Sequence, residues 1–207
     1  MKAVILSQGP MNNVEIYGIE KAVKYSKLPM AIFPDTLDGN ITDRVSQLAQ
    51  APQGSGHDNF LKGILVEGEI ILTVKMMVQL ERYHFFEIVS SQSTMHRLPQ
   101  MLNKVEPKLI YDNNVHPEAI ELMKRILKEY LEEEDKDKKN KLKLQLLMTN
   151  PQGMKLILGF ATNYQALKTI YRQRRHHFLP EWKALCAQIE ELPYSEWITG
   201  GKEYEEN

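Results

Sequence analysis

The residues best suited to chemistry are basic and lie close together in the last quarter of the chain. The stretch TNYQALKTIYRQRRHHFLPEWKAL, residues 162 to 185, carries five basic side chains within six positions: Arg172, Arg174, Arg175, His176 and His177. A planar guanidinium can bind a phosphate or a pyrimidine carbonyl through two parallel hydrogen bonds. Basic residues at a helix end also suit the helix dipole without any ligand. The cluster therefore predicts either an anion site or a solvated helix end, and the residues alone leave both open.

Two further polar groupings lie upstream of this cluster. In GSGHDNF, His57 and Asp58 follow a glycine-rich turn, which by itself favours a plain loop that leads into a capped helix. The second grouping, QLERYHFFEIVSSQSTMHRL, surrounds a hydroxyl-rich turn with basic side chains, and such a turn either binds a phosphate or a ribose or is an ordinary surface turn. Its polar members are Arg82, His84, Ser91, Ser93, His96 and Arg97.

Familiar metal, phosphate and nucleophile motifs are absent from the sequence. There is no C-x-x-C, H-E-x-x-H or paired-carboxylate spacing, and no G-x-G-x-x-G, Walker A or G-x-S-x-G motif. His176 and His177 are adjacent, so on a helix they would point about 100° apart and could not chelate one ion together. The single cysteine, Cys186, lies in KALCAQI and is interpreted as a small core residue. We therefore predict no metal site.

Composition limits the class of protein. The 207 residues are 43% hydrophobic and 26% charged, with a formal net charge of −1, which is ordinary for a globular protein and gives no overall basic charge for nucleic acid. One cysteine excludes an internal disulfide framework, and no apolar run approaches the ~18 residues that cross a bilayer. The apolar run before Pro10 is too short for a signal peptide, so we expect a cytoplasmic location.

Several segments have helix or strand patterns that would position these side chains. KAVILSQ and GILVEGEIILTV predict short strands, with a turn or hairpin at Gly68 in the second. DGNITDRVSQLAQAPQGSG predicts a short helix followed by a loop. Helices are also predicted from Val74 to Glu87 and from Pro117 to about residue 133.

The rest of the chain is predicted to be helical with one polar interruption. The tract EEEDKDKKNK, residues 132 to 141, is interpreted as a solvated helix end or loop. GMKLILGFATNYQALKTIYRQRR predicts one apolar helix that becomes basic near its end. On that helix Asn163 and Arg174 are about three turns apart, so both can lie on one side.

The order of residues around Arg174 resembles a known family. Pro151, then Asn163, Leu167, Tyr171 and Arg174 match in order and spacing the C-terminal signature of the flavin-dependent thymidylate synthases, the ThyX family, which runs roughly P…T-x-N-x-x-x-L-x-x-F-x-x-L-R. The following FLPEWKAL is similar to the family's A-Q-W-E-I segment. Near the end, ELPYSEW is similar to its closing C-P-x-x-F stretch. The resemblance covers roughly residues 1 to 200.

The upstream groupings also match this family in order, with departures in identity. GSGHDNFLKGILVEGEI is similar to the family's G-H-x-x-x-F-E-H-x-x-F-x-F segment and retains His57. RYHFFEIVSSQSTMHR lies where the family has R-H-R-x-x-S-x-N-E-x-S-x-R-Y. It keeps Arg82 at the start, moves histidine to the third place as His84, and ends S-T-M-H-R, with about one inserted residue before Ser93.

The resemblance implies a fold and an activity. The fold is α/β (α+β), a ThyX-like subunit in which long helices flank a mixed sheet, with one domain over residues 1 to 200 and a polar tail over 201 to 207. The implied protein is a homotetramer whose active sites form between chains and hold FAD and dUMP. The implied reaction is a methyltransferase step of nucleotide biosynthesis that moves a one-carbon unit from methylenetetrahydrofolate to C5 of uracil, with FAD reduced by NADPH. The protein's part in such chemistry is mainly to orient and polarise.

The resemblance also implies roles for individual residues. Arg174 would be catalytic and would bind the pyrimidine of dUMP or a related nucleotide, because its charge stabilises the negative charge that develops on the carbonyls. The implied cofactor-binding residues are His57, Arg82, His84 and Asn163. The implied substrate-binding residues besides Arg174 are Ser91, Ser93 and Arg97.

Two alternatives to an active enzyme remain open at the level of sequence. One is a diverged ThyX-fold homologue that binds a nucleotide without flavin catalysis, which the altered RYHFFEIVSSQSTMHR segment favours. The other is a structural or partner-binding domain that binds none of dUMP, FAD and folate. The sequence leans toward the enzyme but leaves that question open.

Overall fold

The computed structural model describes residues 2 to 200, so the polar tail predicted at 201 to 207 lies outside the described residues. The chain forms two compact units. The first comprises residues up to Ile70, Leu80–Val89 and the residues from Gly159 onward, and the second comprises Ile71–Gln79 and Ser90–Leu158. The single domain over residues 1 to 200 stays a prediction.

Five strands form one sheet in the order β1, β2, β3, β5, β4. The strands are β1 Lys2–Val4, β2 Met11–Tyr17, β3 Leu65–Thr73, β4 Glu87–Ser91 and β5 Lys155–Asn163. The pairs β1/β2 and β2/β3 are antiparallel. The predicted α/β class is confirmed, and the pairs β1/β2 and β2/β3 of the predicted mixed sheet are antiparallel.

Helices connect and flank these strands. They are α1 Ile19–Ser26, α2 Asp43–Gln50, α3 Val74–Leu80, α4 Thr94–Lys104, α5 Pro107–Ile110, α6 Pro117–Glu132, α7 Lys136–Thr149, α8 Tyr164–Arg174, α9 Pro180–Glu190 and α10 Glu196–Thr199. Short 3₁₀ turns occupy Leu28–Met30, Pro34–Thr36 and Asn59–Gly63. None of the helices formed by residues 2 to 200 combines the length and the apolar character needed to span a bilayer.

Two of the helices predicted from caps and periodicity, α2 and α6, are confirmed. In the first unit, the Thr42 side chain caps α2 by accepting a hydrogen bond from the Val45 N–H at 3.4 Å. In the second unit, α6 begins at Pro117 and ends at Glu132, as its apolar spacing indicates. The charged tract forms the end of α6, a short connection and the first turn of α7, which Asp135 caps.

The predicted turn at Gly68 is wrong, because β3 passes through this residue without interruption. The partner strand β2 has a register shift between Asn12 and Glu15, where Asn13 adopts a positive φ of 50°. A Cβ on Gly68 would lie 2.9 Å from the Asn12 carbonyl oxygen and 3.3 Å from a ring carbon of Phe160. Glycine is therefore needed for a close approach of the backbone at a bulge, rather than for a turn.

The predicted helix from Val74 to Glu87 is too long. Helix α3 ends at Leu80, and a turn leads into β4 at Glu87. Phe85 has a φ of 66°, which no α-helix contains, and its carbonyl accepts a hydrogen bond from the Thr162 hydroxyl at 2.8 Å. His84 therefore lies in a turn and not on a helix face.

The predicted helix from Gly153 to Arg175 is half strand. Residues Lys155–Asn163 form β5, and α8 begins only at Tyr164. Alternate side chains of β5 are buried, with Leu156, Leu158 and Phe160 among them, which is the period of a strand. Periodicity in a short apolar run does not distinguish a buried strand from a helix. Pairing with the neighbouring strands determines that this segment is a strand.

We predict that Gly68→Ala destabilises the protein by about 1–3 kcal/mol, because the added methyl group overpacks the bulge. Urea unfolding followed by circular dichroism measures this loss. Gly159→Ala in β5 is the matched control, since its Cβ would lie 3.9 Å from the Cβ of Val89, an ordinary contact. Equal midpoints for the two variants would contradict the close approach at Gly68.

Candidate functional site

Arg174 ends helix α8 in the first unit, where aromatic rings surround its guanidinium. Its Nε–H donates a hydrogen bond to the Tyr83 hydroxyl oxygen at 2.6 Å. Its Cζ lies 4.9 Å from the centroid of the Trp182 ring and 5.5 Å from that of Tyr83. Both distances are within the range of a cation–π contact. The guanidinium is therefore held at its Nε–H by the Tyr83 hydroxyl and on its face by the Trp182 ring.

Tyr83 has a second hydrogen bond that completes a short chain of polar groups. Its hydroxyl and the Gln173 side-chain oxygen are 2.9 Å apart, and Gln173 is exposed. The Tyr83 ring also meets Trp182 edge to face, with centroids 5.9 Å apart. We call the set Tyr83, Gln173, Arg174, His177 and Trp182 the Arg174 cluster.

His177 belongs to this cluster through its ring and its backbone. Its N–H donates to the Arg174 carbonyl at 2.9 Å, and its Nδ1 accepts from the Leu179 N–H at 3.1 Å. Its ring lies edge to face on Trp182. Desolvation, and then the charge of Arg174, hold the pKa of His177 below its ordinary value. Both causes favour the neutral ring, as does the accepting role of Nδ1.

A buried ion pair holds helix α8 and the His57 loop together. The Lys168 ammonium lies 3.0 Å from a carboxylate oxygen of Asp58, and the two side chains are only 6% and 1% exposed. Its other protons go to the carbonyls of Ala49 and Ala51, each at 2.7 Å. The second Asp58 oxygen accepts from Gln165 at 3.2 Å. Every ammonium proton is used, so the charge is satisfied inside the protein.

The sequence patterns did not single out this pair, and the Asp58 side chain makes no capping hydrogen bond to the 3₁₀ turn that follows it. A signal was present. Lys168 follows Leu167 and lies four residues after Tyr164 on the apolar stripe of α8, where a charged side chain needs a buried partner.

His57 lies on the wall of a cleft in the first unit with a volume of about 870 Å³. The backbone N–H of His57 donates to the Ser55 hydroxyl at 3.3 Å, and its side chain is exposed. The walls are largely apolar, and no Asp or Glu is among the residues that line the cleft. Its basic side chains are Lys27, Arg44, His57 and Lys62. The cleft thus suits a ligand with an apolar body and negative charge.

Asn163 and the two basic residues of the altered segment have different environments. The Asn163 side-chain oxygen accepts from the Ala166 N–H at 2.9 Å and caps α8, and the residue is buried. Arg82 and His84 lie on the exposed turn that carries Tyr83. Among the described residues, neither of these two side chains forms a hydrogen bond or an ion pair.

The other predicted site residues lie in the second unit. Ser91 is the exposed last residue of β4. The Ser93 hydroxyl caps α4 by accepting from the His96 N–H at 3.3 Å. Arg97, on the first turn of α4, donates to the Gln100 side chain at 2.9 Å. The structure thus brings Ser93 and Arg97 to one helix end. Within residues 2 to 200, no three side chains of His, Cys, Asp and Glu are grouped to hold a metal ion.

Solved structures with this fold are similar to the chain over nearly its whole length. One is the flavin-dependent thymidylate synthase ThyX from Helicobacter pylori complexed with FAD and dUMP, with a TM-score of 0.66, 16% identity, and coverage of 91% of this chain and 97% of that one. A second structure of the Helicobacter pylori ThyX, also with FAD and dUMP, has a TM-score of 0.67 and 18% identity, with coverage of 92% of this chain and 97% of that one. A UMP/dUMP methylase, PolB from Streptomyces cacaoi bound with 5-Br dUMP, has a TM-score of 0.55 and 14% identity, with coverage of 95% of each chain.

These likenesses show that the chain has a ThyX-like fold, and at such low identity they show the fold alone. No protein-family model matches the sequence. A search of curated proteins found no relative either.

We predict that Lys168→Met destabilises the protein by about 3–5 kcal/mol, because it leaves the Asp58 carboxylate buried without a partner. Thermal and urea unfolding measure the loss. Lys128→Met is the matched control, since Lys128 and Glu132 form a pair whose side chains are both largely exposed. Adding Asp58→Leu to Lys168→Met should recover part of the stability. A loss as small as that of Lys128→Met would contradict this role of the pair.

Proposed function

We propose that this chain is a flavin-dependent thymidylate-synthase-like enzyme that binds dUMP, or a closely related pyrimidine nucleotide, at Arg174. It transfers a one-carbon unit from methylenetetrahydrofolate to C5 of uracil, with FAD and NADPH. The observation that carries the proposal is the state of the Arg174 guanidinium, which aromatic rings hold in place while part of its donor edge stays available.

The available edge follows from counting donors. Arg174 commits its Nε–H to Tyr83, and among the described residues no hydrogen bond reaches its Nη1 or Nη2 atoms. These two groups form one side of a rigid fork, whose spacing matches two oxygens of a phosphate or of a planar carbonyl system. The nucleotides bound in the ThyX and PolB structures offer both kinds of acceptor.

Arg174 has two tasks in the proposed reaction. Its charge attracts the nucleotide, and its N–H groups stabilise the negative charge that develops on the uracil carbonyls as the ring becomes activated. The contact with Trp182 fixes the plane of the guanidinium before the substrate arrives, so less side-chain freedom is lost on binding. Arg174 is therefore proposed both to bind the substrate and to act in catalysis.

The cysteine of the chain supports a mechanism without an enzymic thiol nucleophile. Burial, and then the charge of Glu190, raise the pKa of Cys186 to about 12. The thiolate is the nucleophilic form of cysteine, so this side chain is poorly suited to attack a pyrimidine ring. A mechanism in which the flavin and the one-carbon donor supply the chemistry agrees with this environment.

The His57 cleft fits a flavin dinucleotide by the chemistry of its walls. Its volume is about 870 Å³, and Tyr25 offers a ring against which a flat heterocycle can pack. Lys27 is paired with Asp38, so Arg44, His57 and Lys62 are the basic side chains that suit a pyrophosphate. FAD, when bound and reduced by NADPH, supplies the hydride that completes a methyl group. His57 is proposed to contact the cofactor there, and Asn163, whose amide N–H groups remain after capping, to donate to it.

The remaining predicted residues keep their proposed roles. Arg82 and His84 are exposed and able to contact the cofactor, and Ser91, Ser93 and Arg97 are proposed to contact the nucleotide. The proposed assembly is a homotetramer with active sites between chains.

A second candidate is a ThyX-fold protein that binds a nucleotide without flavin catalysis. The altered segment favours it, since Arg82 and His84 lie on an exposed turn whose middle residue, Tyr83, contacts Arg174. Both candidates place the nucleotide at Arg174. They differ only in whether flavin chemistry follows.

We predict that Arg174→Ala weakens dUMP binding by about 100-fold, since charged hydrogen bonds and a cation are lost together. Isothermal titration calorimetry gives the Kd. For the wild type, dUMP at a hundred times its Kd should raise stability by about 2.7 kcal/mol.

The matched control for this measurement is Arg172→Ala, an exposed arginine on the same helix. Arg172→Ala should leave the Kd for dUMP within about twofold of the wild-type value, because an exposed charge contributes little to binding. Equal weakening by both variants would mean that the basic helix end acts by charge alone. No dUMP binding by the wild type would refute the proposal.

The two candidates are separated by flavin binding and by chemistry at C5. For the enzyme, we expect added FAD to bind with a change in the flavin absorbance bands, and deuterium at C5 of dUMP to be released only with FAD, NADPH and methylenetetrahydrofolate. Omission of each component is the control. A protein that binds dUMP, does not bind FAD and does not release deuterium would support the second candidate instead.

A further inference from the structure

We infer that Tyr83 is a positioning residue whose hydroxyl sets the orientation in which Arg174 meets its ligand. The inference rests on the proposed binding of a nucleotide at Arg174 and adds a residue that the sequence patterns did not single out. Tyr83 acts on the guanidinium and not on the nucleotide itself.

The direction of the hydrogen bonds gives Tyr83 this role. An arginine Nε–H can only donate, so the Tyr83 oxygen is the acceptor in the 2.6 Å contact. The Tyr83 proton is then directed to the Gln173 side-chain oxygen, 2.9 Å away, which can only accept. The chain therefore runs from Arg174 to Tyr83 to Gln173. A ring without the hydroxyl would break it at its centre.

The turn that carries Tyr83 is itself held by hydrogen bonds and ring packing, so Tyr83 can restrain the Arg174 guanidinium. The Tyr83 N–H donates to the Leu80 carbonyl at 2.9 Å. The Thr162 hydroxyl donates to the Phe85 carbonyl, and Phe86 stacks on Phe160 with centroids 5.2 Å apart. These contacts hold the turn from both ends. Its middle residue can therefore restrain a longer and more flexible side chain.

The hydroxyl controls rotation of the guanidinium, whereas the rings control only its plane. A face packed on Trp182 still allows the guanidinium to turn within its own plane. The bond at Nε removes this freedom and fixes the orientation of the fork end, where Nη1 and Nη2 make no hydrogen bond to the described residues. Two parallel hydrogen bonds to a ligand require that orientation, so the tyrosine prepares the site before binding.

The test compares Tyr83→Phe with the wild type in two measurements, one of which needs no ligand. Phenylalanine keeps the ring and removes only the acceptor. The first readout is the Arg174 side-chain Nε–H signal in ¹⁵N-resolved NMR, assigned by its loss in Arg174→Lys. It should exchange slowly in the wild type and at least about tenfold faster in Tyr83→Phe.

The second readout is the Kd for dUMP, measured by calorimetry in a double-mutant cycle. Tyr83→Phe should weaken binding about tenfold in the wild-type background and have no effect in the Arg174→Ala background, because the two act as a unit. Tyr130→Phe is the matched control, since no hydrogen bond reaches the Tyr130 hydroxyl among residues 2 to 200, and it should change neither readout. Gln173→Ala, at an exposed position, should reproduce both changes in part and serves if Tyr83→Phe folds poorly.

Each outcome decides a different point. An unchanged Nε–H exchange rate in Tyr83→Phe would overturn the inference, as would a tenfold weakening of dUMP binding that persists in the Arg174→Ala background. Faster exchange together with an unchanged Kd would overturn the role in binding. If exchange becomes faster but no variant binds dUMP, the proposed function fails while the restraint of Arg174 by Tyr83 stands.

Discussion

The buried ion pair between Lys168 and Asp58 is the constraint on which the candidate site of the first unit depends. It joins the end of α2, through the Ala49 and Ala51 carbonyls, to the His57 loop and to helix α8. A buried salt bridge is weak evidence of added stability, because removing both charges from water costs nearly what their attraction returns. Its effect here is geometric. Asp58 is the neighbour of His57, and Lys168 lies on the helix that ends at Arg174. One contact therefore fixes the backbone that carries His57 and the helix that carries Arg174.

Helix α8 shows that the role of a cation depends on its hydrogen bonds more than on its charge. Lys168 is buried with all its donors used, so it can bind nothing further. Arg174 uses one donor and one face internally and keeps the rest of its fork. Arg172 is exposed on the same helix. The three positions lie within two turns, and only the surroundings distinguish a buried support, a group with unused donors that we propose binds a ligand, and a solvated charge.

The ThyX-like fold supplies a scaffold and does not by itself supply the chemistry. Likenesses at 14 to 18% identity fix the arrangement of strands and helices. The segment RYHFFEIVSSQSTMHR covers an exposed turn, strand β4 and the start of α4, and within the turn the Tyr83 hydroxyl accepts a hydrogen bond from Arg174. Cys186, buried and with a raised pKa, offers no nucleophile that could replace a cofactor.

The sequence by itself determined the features that depend on local chemistry. Thr42 and Pro117 mark helix starts because capping and a fixed φ act within one turn, and the spacing from Pro151 to Arg174 indicated the fold. Only the tertiary structure decided that Leu156, Leu158 and Phe160 form a strand, that Gly68 serves a bulge, that Tyr83 contacts Arg174 and that Lys168 contacts Asp58. Each of these depends on a partner far away in the chain: a neighbouring strand, the Asn12 carbonyl, a guanidinium or a carboxylate. The sequence pattern does not say which residue the partner is, because the contact is made in space and not along the sequence.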